Sequence, residues 1–329
     1  MTRVEQAGQM LANNFTALGL PVEYVKSVEH LMGDTHYYNL KDISQFNDKK
    51  ISDLVDKQAI ACHMDMKFGR TKEAHFKVEV IYNDKATLLL SNIFDWHNVN
   101  IGKDTDNKVV SIDFDDTPHL LVAGTTGAGK SVLLKTLFCS LYNFHYNTNA
   151  SRFKKAQFVI IDPKGTEFNM FRNVVNNYID ETSVAIKALK QLEDIMDNRY
   201  KNMDRVRTPI YVIIDELADL MLTSRFEVEQ SLVRIAQKGR ACDMHLIVAT
   251  QRPSCDVISG LIKANMPSRL ILKTSSIRDS IVCLDHKGAE ELQGKGDCLF
   301  KNGLVERRFK VALTDQDIVN RFVLCNNKR

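Results

Sequence analysis

The sequence predicts an α/β protein in which a mainly parallel sheet follows a smaller α+β domain. Residues 117–329 alternate short apolar runs, which end in polar residues, with segments of helical pattern. Parallel strands must be joined by crossovers that run back over the sheet, so this alternation is typical of a parallel sheet covered by helices. The apolar runs are HLLVAG, QFVIIDP, PIYVIID, HLIVAT and RLILKT.

Residues 1–116 have a different pattern and are predicted to form the separate α+β domain. Apolar residues at helical spacing open the chain. HYYNL, a helix candidate at 51–58 and the alternating runs AHFKVEV and ATLLL follow. At the other end of the chain, DCLFKN and VERRFKVAL predict an antiparallel addition to the sheet, and a last helix is expected near 315–325.

The composition is that of an ordinary globular protein. The 329 residues are 44% hydrophobic and 26% charged, and a net charge of +3 does not indicate nucleic-acid binding through bulk charge. Seven cysteines without a C-x-x-C pair favour reduced thiols over a zinc site. The N-terminus lacks the apolar core of a signal peptide, and no apolar run reaches the about 18 residues of a membrane span. A cytoplasmic location without membrane insertion is therefore expected.

The stretch GTTGAGKSV follows the first apolar run and fits the phosphate-binding pattern G-x-x-x-x-G-K-[ST]. Its glycines let backbone N–H groups surround a phosphate, and the following helix directs its N-terminal dipole at the same anion. Lys130 is expected to reach the β- and γ-phosphates of ATP, and Ser131 to ligate Mg²⁺. The predicted nucleotide-binding positions are Gly124, Thr125, Thr126, Gly127, Ala128, Gly129, Lys130, Ser131 and Val132.

Two adjacent acids end the strand in YVIIDELADL. The carboxyl ends of parallel strands are where open α/β sheets bind ligands. Asp215 is expected to hold Mg²⁺ through water, and Glu216 to polarise the attacking water. The alternative for Glu216 is an exposed acid that a helix N-terminus favours. Such a pair indicates hydrolysis, whereas a small-molecule kinase must exclude water, and the sequence shows no separate acceptor-binding lid.

Two further polar groups follow strands. Gln251 ends the strand of VATQRP, where its amide can contact the γ-phosphate or the water; the alternative is a strand-end turn before Pro253. Asp162 and Lys164 follow the strand of IIDPKG, and their role stays open. The combination of Lys130, two acids and Gln251 argues against a non-catalytic ATP-binding scaffold.

Together these stretches resemble the motor of the FtsK/SpoIIIE family of DNA translocases. The matching segments lie in the family's order over residues 118 to about 313, and the small N-terminal half resembles, more loosely, the domain that precedes the motor. They are PHLLVAGTTGAGKSV, IDPKGTEF, IIDELADLM, RIAQKGRACDMHLIVATQRPSCDVISGLIKANMPSRL and GAEELQGKGDCLF.

The resemblance implies a RecA-like fold, hexameric rings and ATP-driven movement along double-stranded DNA through a central pore. It also implies an arginine that reaches the ATP of the neighbouring subunit. Arg240 in the AQK-x-R motif occupies that position, and Arg234 is the competing candidate. A guanidinium there would stabilise charge that builds on the γ-phosphate, while a cation near a helix C-terminus is the alternative.

DNA contacts are expected from a basic run after the last motif, because a translocase must hold phosphates without reading bases. The alternative for these cations is a solvated or subunit-interface face. The candidates are Lys263, Arg269, Lys273 and Arg278.

The chain contains no segment that resembles the family's membrane region, linker or C-terminal winged helix. This favours a mobile element, plasmid or phage, in which a motor feeds DNA to a transfer or packaging partner. A conjugative coupling or viral DNA-packaging ATPase is thus the alternative function. A RecA-like unwinding helicase is less favoured, because residues 254–279 hold no aromatic side chain to stack on single-stranded bases.

Overall fold

The structure is a computed structural model that describes residues 1–30, 33–42, 47–62, 65–72, 74–81, 87–95, 97–146, 155–202, 208–314 and 318.

The chain forms two compact units, and the shorter one contains residues 1–87 together with 103–109. The tip at 103–109 belongs to this first unit because Thr35 donates a hydrogen bond to the carbonyl of Thr105 (3.1 Å) and Tyr37 donates one to Asp106 (2.5 Å). The predicted domain boundary between 116 and 117 stays a prediction, and the compact units divide the chain elsewhere.

The first unit is a four-stranded antiparallel sheet with two helices, in the strand order β1-β2-β4-β3. Thr2 caps the first helix through a reciprocal pair of bonds with Glu5. The core contains fully buried rings, and those of Phe15 and Tyr38 meet edge to face at 5.7 Å. The elements are α1 (Arg3–Ala17), β1 (Val22–His30), β2 (Gly33–Leu40), α2 (Asp48–Cys62), β3 (Asp65–Gly69) and β4 (Phe76–Ile81).

The second unit is built on a ten-stranded sheet, although Lys103, Asp104 and Val109 at the ends of its first two strands are counted with the first unit. Its strands are β5 (Val99–Asp104), β6 (Val109–Ile112), β7 (His119–Ala123), β8 (Gln157–Ile161), β9 (Asn177–Ile179), β10 (Ile210–Ile214), β11 (Met244–Thr250), β12 (Ser268–Leu272), β13 (Asp297–Asn302) and β14 (Val305–Val311). The strand order is β6-β5-β14-β13-β12-β7-β11-β10-β8-β9. The strands from β12 to β9 in that order run parallel, and β13 and β14 extend the sheet antiparallel.

Helices cover both faces of this sheet. On one face the ring of Phe138 in α3 packs edge-on against Phe158 of β8 at 5.3 Å. On the other face Leu189 of α4 and Leu232 of α5 share a buried core with Val212 of β10. The helices of this unit are α3 (Lys130–Tyr146), α4 (Thr182–Asn202), α5 (Leu217–Lys238), α6 (Gly260–Asn265) and α7 (Ile277–Leu284).

The prediction of an α/β fold with a mainly parallel sheet is confirmed, as is the antiparallel addition by β13 and β14. The prediction of a strand at ATLLL is wrong: Ala86 lies outside the described residues, Leu89 forms a single bridge to Leu313, and Leu90–Asn92 is a 3-10 helix. A short apolar run does not distinguish a strand from a buried helical segment. The predicted last helix lies almost wholly outside the described residues.

Within the described part of the chain, every helix is too short or too polar to cross a bilayer.

Register aligns the strand ends that carry the predicted site. Ile214 of β10 pairs with Ile161 of β8 on one side and with Val248 of β11 on the other, and Ala123 of β7 pairs with Thr250. The polar residues that follow these four strands therefore lie along one edge of the sheet, as is usual for ligand sites in open α/β folds.

Candidate functional site: a nucleotide-binding edge of the sheet

The P-loop, residues 124–131, is a tight turn between β7 and α3. Its backbone adopts left-handed conformations at Gly127 (φ +78°) and Gly129 (φ +107°), which glycine tolerates best. A Cβ at Gly129 would lie 2.6 Å from the backbone nitrogen of Gly296, so no larger residue fits there. The N–H of Gly296 donates to the carbonyl of Ala128 at 2.7 Å. The loop is thus held in shape by its own glycines and by the turn before β13.

Lys130 joins the P-loop to the end of β10. Its Nζ lies 2.8 Å from Oδ1 of Asp215 and also donates to the backbone carbonyl of Asp215 at 2.6 Å. Both side chains are almost completely buried. A buried lysine needs such a partner, because an isolated charge in this position would be very costly. The motif lysine and the strand-end acid are therefore in direct contact.

Glu216 is held by the neighbouring strand and is not a solvent-exposed helix acid. It occupies the N-cap position of α5, yet its side chain makes no capping bond and is 2% exposed. Its Oε1 accepts a hydrogen bond from the hydroxyl of Thr250 at 2.7 Å. The backbone N–H of Gln251 donates to both carboxylate oxygens at 3.1 Å. These bonds fix the direction of the carboxylate.

Gln251 reaches the P-loop across the sheet edge. Its side-chain Oε1 accepts a hydrogen bond from the hydroxyl of Thr126 at 3.0 Å. Its backbone contacts Glu216, so this one residue touches both the P-loop and the acid at the end of β10. A residue with these two contacts can respond to the nucleotide that the P-loop binds.

The turn after β8 is built by Asp162. This buried carboxylate accepts hydrogen bonds from the backbone N–H groups of Gly165, Glu167 and Phe168 at 3.0–3.1 Å, and from the hydroxyl of Tyr178 at 2.9 Å. Asp162 thus organises the turn, which brings Lys164 to the same sheet edge.

Glu167 is a site residue that motif reasoning missed. It lies 2.8 Å from Lys135 of α3. Partial burial alone would raise the pKa of Glu167, but the hydrogen bond and charge of Lys135, with a further hydrogen bond from Ser131, hold that pKa below its usual value. The FtsK/SpoIIIE-like segment IDPKGTEF contains this acid, but only the fold brings it to the first turn of α3.

The arrangement fits a magnesium nucleotide. The left-handed glycines shape a turn at the start of α3, where backbone N–H groups and the helix dipole favour a phosphate. Lys130 supplies an ammonium group, and Ser131 and Asp215 supply the oxygen donors that Mg²⁺ prefers. These residues are the ones that would hold the phosphates and the metal ion.

Arg240 lies near the amino ends of the parallel strands, whereas the P-loop lies at their carboxyl ends. It is an exposed residue of the 3-10 helix Gly239–Cys242, which leads into the amino end of β11. Gln251 follows the carboxyl end of that strand, which has seven residues and so spans about 20 Å. The structure therefore does not bring Arg240 to the P-loop of its own chain.

Arg234 forms its contacts within the second unit. Its guanidinium donates to Glu193 at 2.7 Å and to Asp197 at 2.6 Å, both on α4. Glu193 also accepts from the hydroxyl of Ser231. Burial alone would raise the pKa of Glu193, but the hydrogen bonds from Ser231, Lys190 and Arg234 hold that pKa below its usual value. Arg234 thus joins α5 to α4.

The four cations of the predicted DNA-binding run lie in different settings. Lys263 and Arg269 both pair with Asp285, at 2.9 and 2.6 Å, and Arg269 is 7% exposed. Lys273 follows β12, and its carbonyl accepts a hydrogen bond from the P-loop N–H of Thr125 at 2.8 Å. Arg278 is exposed in the first turn of α7. The structure does not bring the four together on one surface, and their contact with DNA stays a prediction.

Comparison with known proteins finds one matching family and several similar proteins. Residues 95–209 and 203–255 match the FtsK/SpoIIIE family model. DNA translocase FtsK of Corynebacterium efficiens is 39% identical over 255 residues, 67% of this chain and 26% of that protein. DNA translocase SftA of Bacillus subtilis is 43% identical over 227 residues, 62% of this chain and 23% of that protein. FtsK of Streptococcus pyogenes serotype M6 is 32% identical over 89% of this chain and 40% of that protein. This chain thus spans less than half the length of these relatives.

Solved structures share the fold. The pCW3 conjugation coupling protein TcpA, solved as a monomer with ATPγS, aligns with a TM-score of 0.66 and 22% identity over 98% of this chain and 99% of its own. The cytoplasmic domain of the type VII secretion ATPase EccC of Thermomonospora curvata aligns with a TM-score of 0.59 and 22% identity over 69% of this chain and 30% of its own. The predicted P-loop ATPase fold is confirmed by these matches.

Proposed function

Because this chain belongs to the FtsK/SpoIIIE family, we propose that it is an ATPase that moves along double-stranded DNA. One observation carries the proposal: Lys130, Asp215, Glu216 and Gln251 converge on one edge of the sheet through direct contacts. Proteins of the same family that share 32–43% identity are named DNA translocases.

Each of these residues has a part in hydrolysis. Lys130 would bind the β- and γ-phosphates, and Ser131 and Asp215 would hold Mg²⁺. When bound, Mg²⁺ neutralises charge on the phosphate oxygens. Glu216 takes the proton of the attacking water, because Thr250 and Gln251 fix its carboxylate at the end of β10. Gln251 connects that carboxylate to the P-loop through Thr126.

The motor assembles as a ring, which we propose to be a hexamer. Arg240 lies about 20 Å from its own site along β11, on an exposed turn. A head-to-tail arrangement of subunits would bring the Arg240 edge of one chain against the P-loop edge of the next. Arg240 then stabilises charge on the γ-phosphate of the neighbour's ATP.

The ring holds double-stranded DNA through its phosphates. Arg278 is the strongest candidate among the four predicted cations, because it is exposed, whereas Lys263 and Arg269 pair with Asp285. Lys273 lies beside the P-loop, where it would join the nucleotide site to the DNA-facing turn before α7. Contacts of this kind grip any sequence.

The test is ATP hydrolysis by the purified protein with no DNA, with linear duplex, and with single strands of equal nucleotide content. The proposal expects strong stimulation by duplex that falls steeply with salt. Displacement of a triplex-forming strand from the same duplex then measures movement. Stimulation by single strands alone would instead assign an unwinding helicase, and equal rates in all three conditions would contradict a DNA-driven motor.

The second candidate is a coupling or packaging ATPase that feeds DNA to a membrane-bound or mobile-element machine from the cytoplasm. The observation that favours it is the fold match to a conjugation coupling protein over 98% of this chain and 99% of the other. Both functions use the same motor and differ in the partner. Recovery of a specific transfer or packaging protein with the Glu216→Gln variant on DNA would favour this candidate.

A further inference from the structure

The IDPKG turn after β8 has no part in the proposed hydrolysis, yet it lies at the same sheet edge. Its shape comes from Asp162, which accepts three backbone N–H bonds and the hydroxyl of Tyr178. Lys164 contributes none of these bonds. Its side chain is 47% exposed and leaves the turn toward β10. The lysine is therefore not needed to form the turn that carries it.

Lys164 faces the acid that we assign to water activation. Its Nζ lies 3.9 Å from Oε2 of Glu216 and 3.8 Å from Oδ2 of Asp219, one turn further along α5. Within the described part of the chain, Lys164 is the only lysine or arginine within 4.0 Å of Glu216. The acid is buried, and the lysine reaches it from the solvent side.

The order of the strands shows from which two sides the carboxylate of Glu216 is contacted. Glu216 follows β10, and this strand lies between β11 and β8. From the β11 side, Thr250 and Gln251 donate hydrogen bonds to the carboxylate. From the β8 side, Lys164 supplies a positive charge to Oε2. The carboxylate is thus contacted from the segments that follow both neighbouring strands, and the same ammonium group lies 3.8 Å from the carboxylate of Asp219.

We propose that Lys164 is a positioning residue for Glu216, an inference that rests on the proposed ATPase function. Its ammonium group keeps the carboxylate against β11 and screens it from Asp219. Without that charge, repulsion between two carboxylates on the first turn of α5 favours other side-chain conformations of Glu216. The expected loss lies in the chemical step rather than in nucleotide binding, which the P-loop provides.

The test compares Lys164→Met, Lys164→Arg and the wild type in steady-state ATP hydrolysis with saturating duplex DNA. Lys164→Met is expected to lower kcat about tenfold, with an unchanged Kd for a fluorescent ATP analogue. Lys164→Arg is expected to recover most of the rate. The matched control is Lys190→Met, because Lys190 is 46% exposed and pairs with Glu193 away from the site. Its kcat should equal that of the wild type.

A double-mutant cycle decides whether Lys164 acts through Glu216. In single-turnover hydrolysis, Lys164→Met is expected to add no further loss to Glu216→Gln. An equal loss in both backgrounds would overturn the proposal, as would a normal kcat for Lys164→Met in an active wild-type protein. A wild type without any ATP hydrolysis would overturn the proposed function and this inference together.

Discussion

The backbone N–H of Gln251 donates to both carboxylate oxygens of Glu216 at 3.1 Å. The two residues are adjacent only because β10 and β11 are parallel neighbours in register. The side chain of the same Gln251 accepts from Thr126 of the P-loop. A shift of the P-loop would therefore reach the carboxylate of Glu216, to which we assign water activation, through a single residue.

Glu216→Gln should bind ATP normally and lose about 100-fold or more in kcat, because the amide cannot take a proton from water. The neutral side chain keeps nearly the same shape. Filter binding of labelled ATP and single-turnover hydrolysis measure the two properties. Glu227→Gln, an exposed acid on the same helix, is the control. Normal turnover in Glu216→Gln would remove Glu216 from this role.

Arg240→Ala should lose about 1000-fold in hydrolysis when tested alone. Mixed with Lys130→Ala it should regain part of the activity, because one interface in the mixture combines an intact Lys130 with an intact Arg240. Hydrolysis is measured over a series of mixing ratios. Lys130→Ala mixed with Glu216→Gln is the control, since both changes affect the same chain's site and no rescue is expected. Rescue in that control, or none with Arg240→Ala in assembled rings, contradicts an action between subunits.

Arg278→Ala should weaken DNA binding equally for unrelated duplex sequences, because the contact is to phosphate. The slope of log Kd against log salt should fall by about 1 for each subunit that holds DNA. Fluorescence anisotropy at several salt concentrations measures both. Lys287→Ala, also exposed and nine residues further along the chain, should leave the slope unchanged. An unchanged slope for Arg278→Ala would place the DNA elsewhere.

Asp285→Asn should lower the Tm at pH 7 by about 2–4 °C, because it removes the partner of Lys263 and Arg269. Partial burial alone would raise the pKa of Asp285, but hydrogen bonds from Lys263 and Arg269 lower it to about 2. A depressed carboxyl pKa stabilises the fold above the unfolded value of about 3.9, and this contribution is lost as the pH falls toward 2.

Thermal unfolding measured from pH 7 to pH 2.5 tests whether this stabilising contribution is lost in acid. The Tm difference between wild type and Asp285→Asn should shrink as the pH falls below about 4. Exposed Asp116→Asn is the control. A difference that stays constant or widens in acid would contradict the role of the carboxylate.

Much of the site could be predicted because it depends on local order along the chain. Apolar strands that end in polar residues predict a shared sheet edge, and the P-loop pattern fixes which edge it is. Asp215, Glu216 and Gln251 all lie there, since parallel register carries each strand end to its neighbour. This prediction requires no information about contacts between residues that are distant in sequence.

The remaining features depend on contacts between distant parts of the chain. Lys263 and Arg269 lie in a basic run, but Asp285 pairs with both after α7 folds back. Glu167 reaches Lys135 across 32 residues, and the fold alone brings them together. The tip at 103–109 joins the first unit through Tyr37 and Thr35, although its neighbours in sequence lie in the second. Spacing and composition carry no sign of these pairings.

The contact between Gly129 and Gly296 has a thermodynamic consequence. The P-loop is fastened to the turn before β13 by the bond between Gly296 and Ala128, and Val311 of β14 donates to Gly296 at 2.8 Å. The conformational entropy of this loop is therefore lost when the chain folds, and not when a nucleotide binds. Binding of ATP should therefore proceed in one fast kinetic phase. Substitution of Gly296 should weaken ATP binding although this residue lies outside the P-loop.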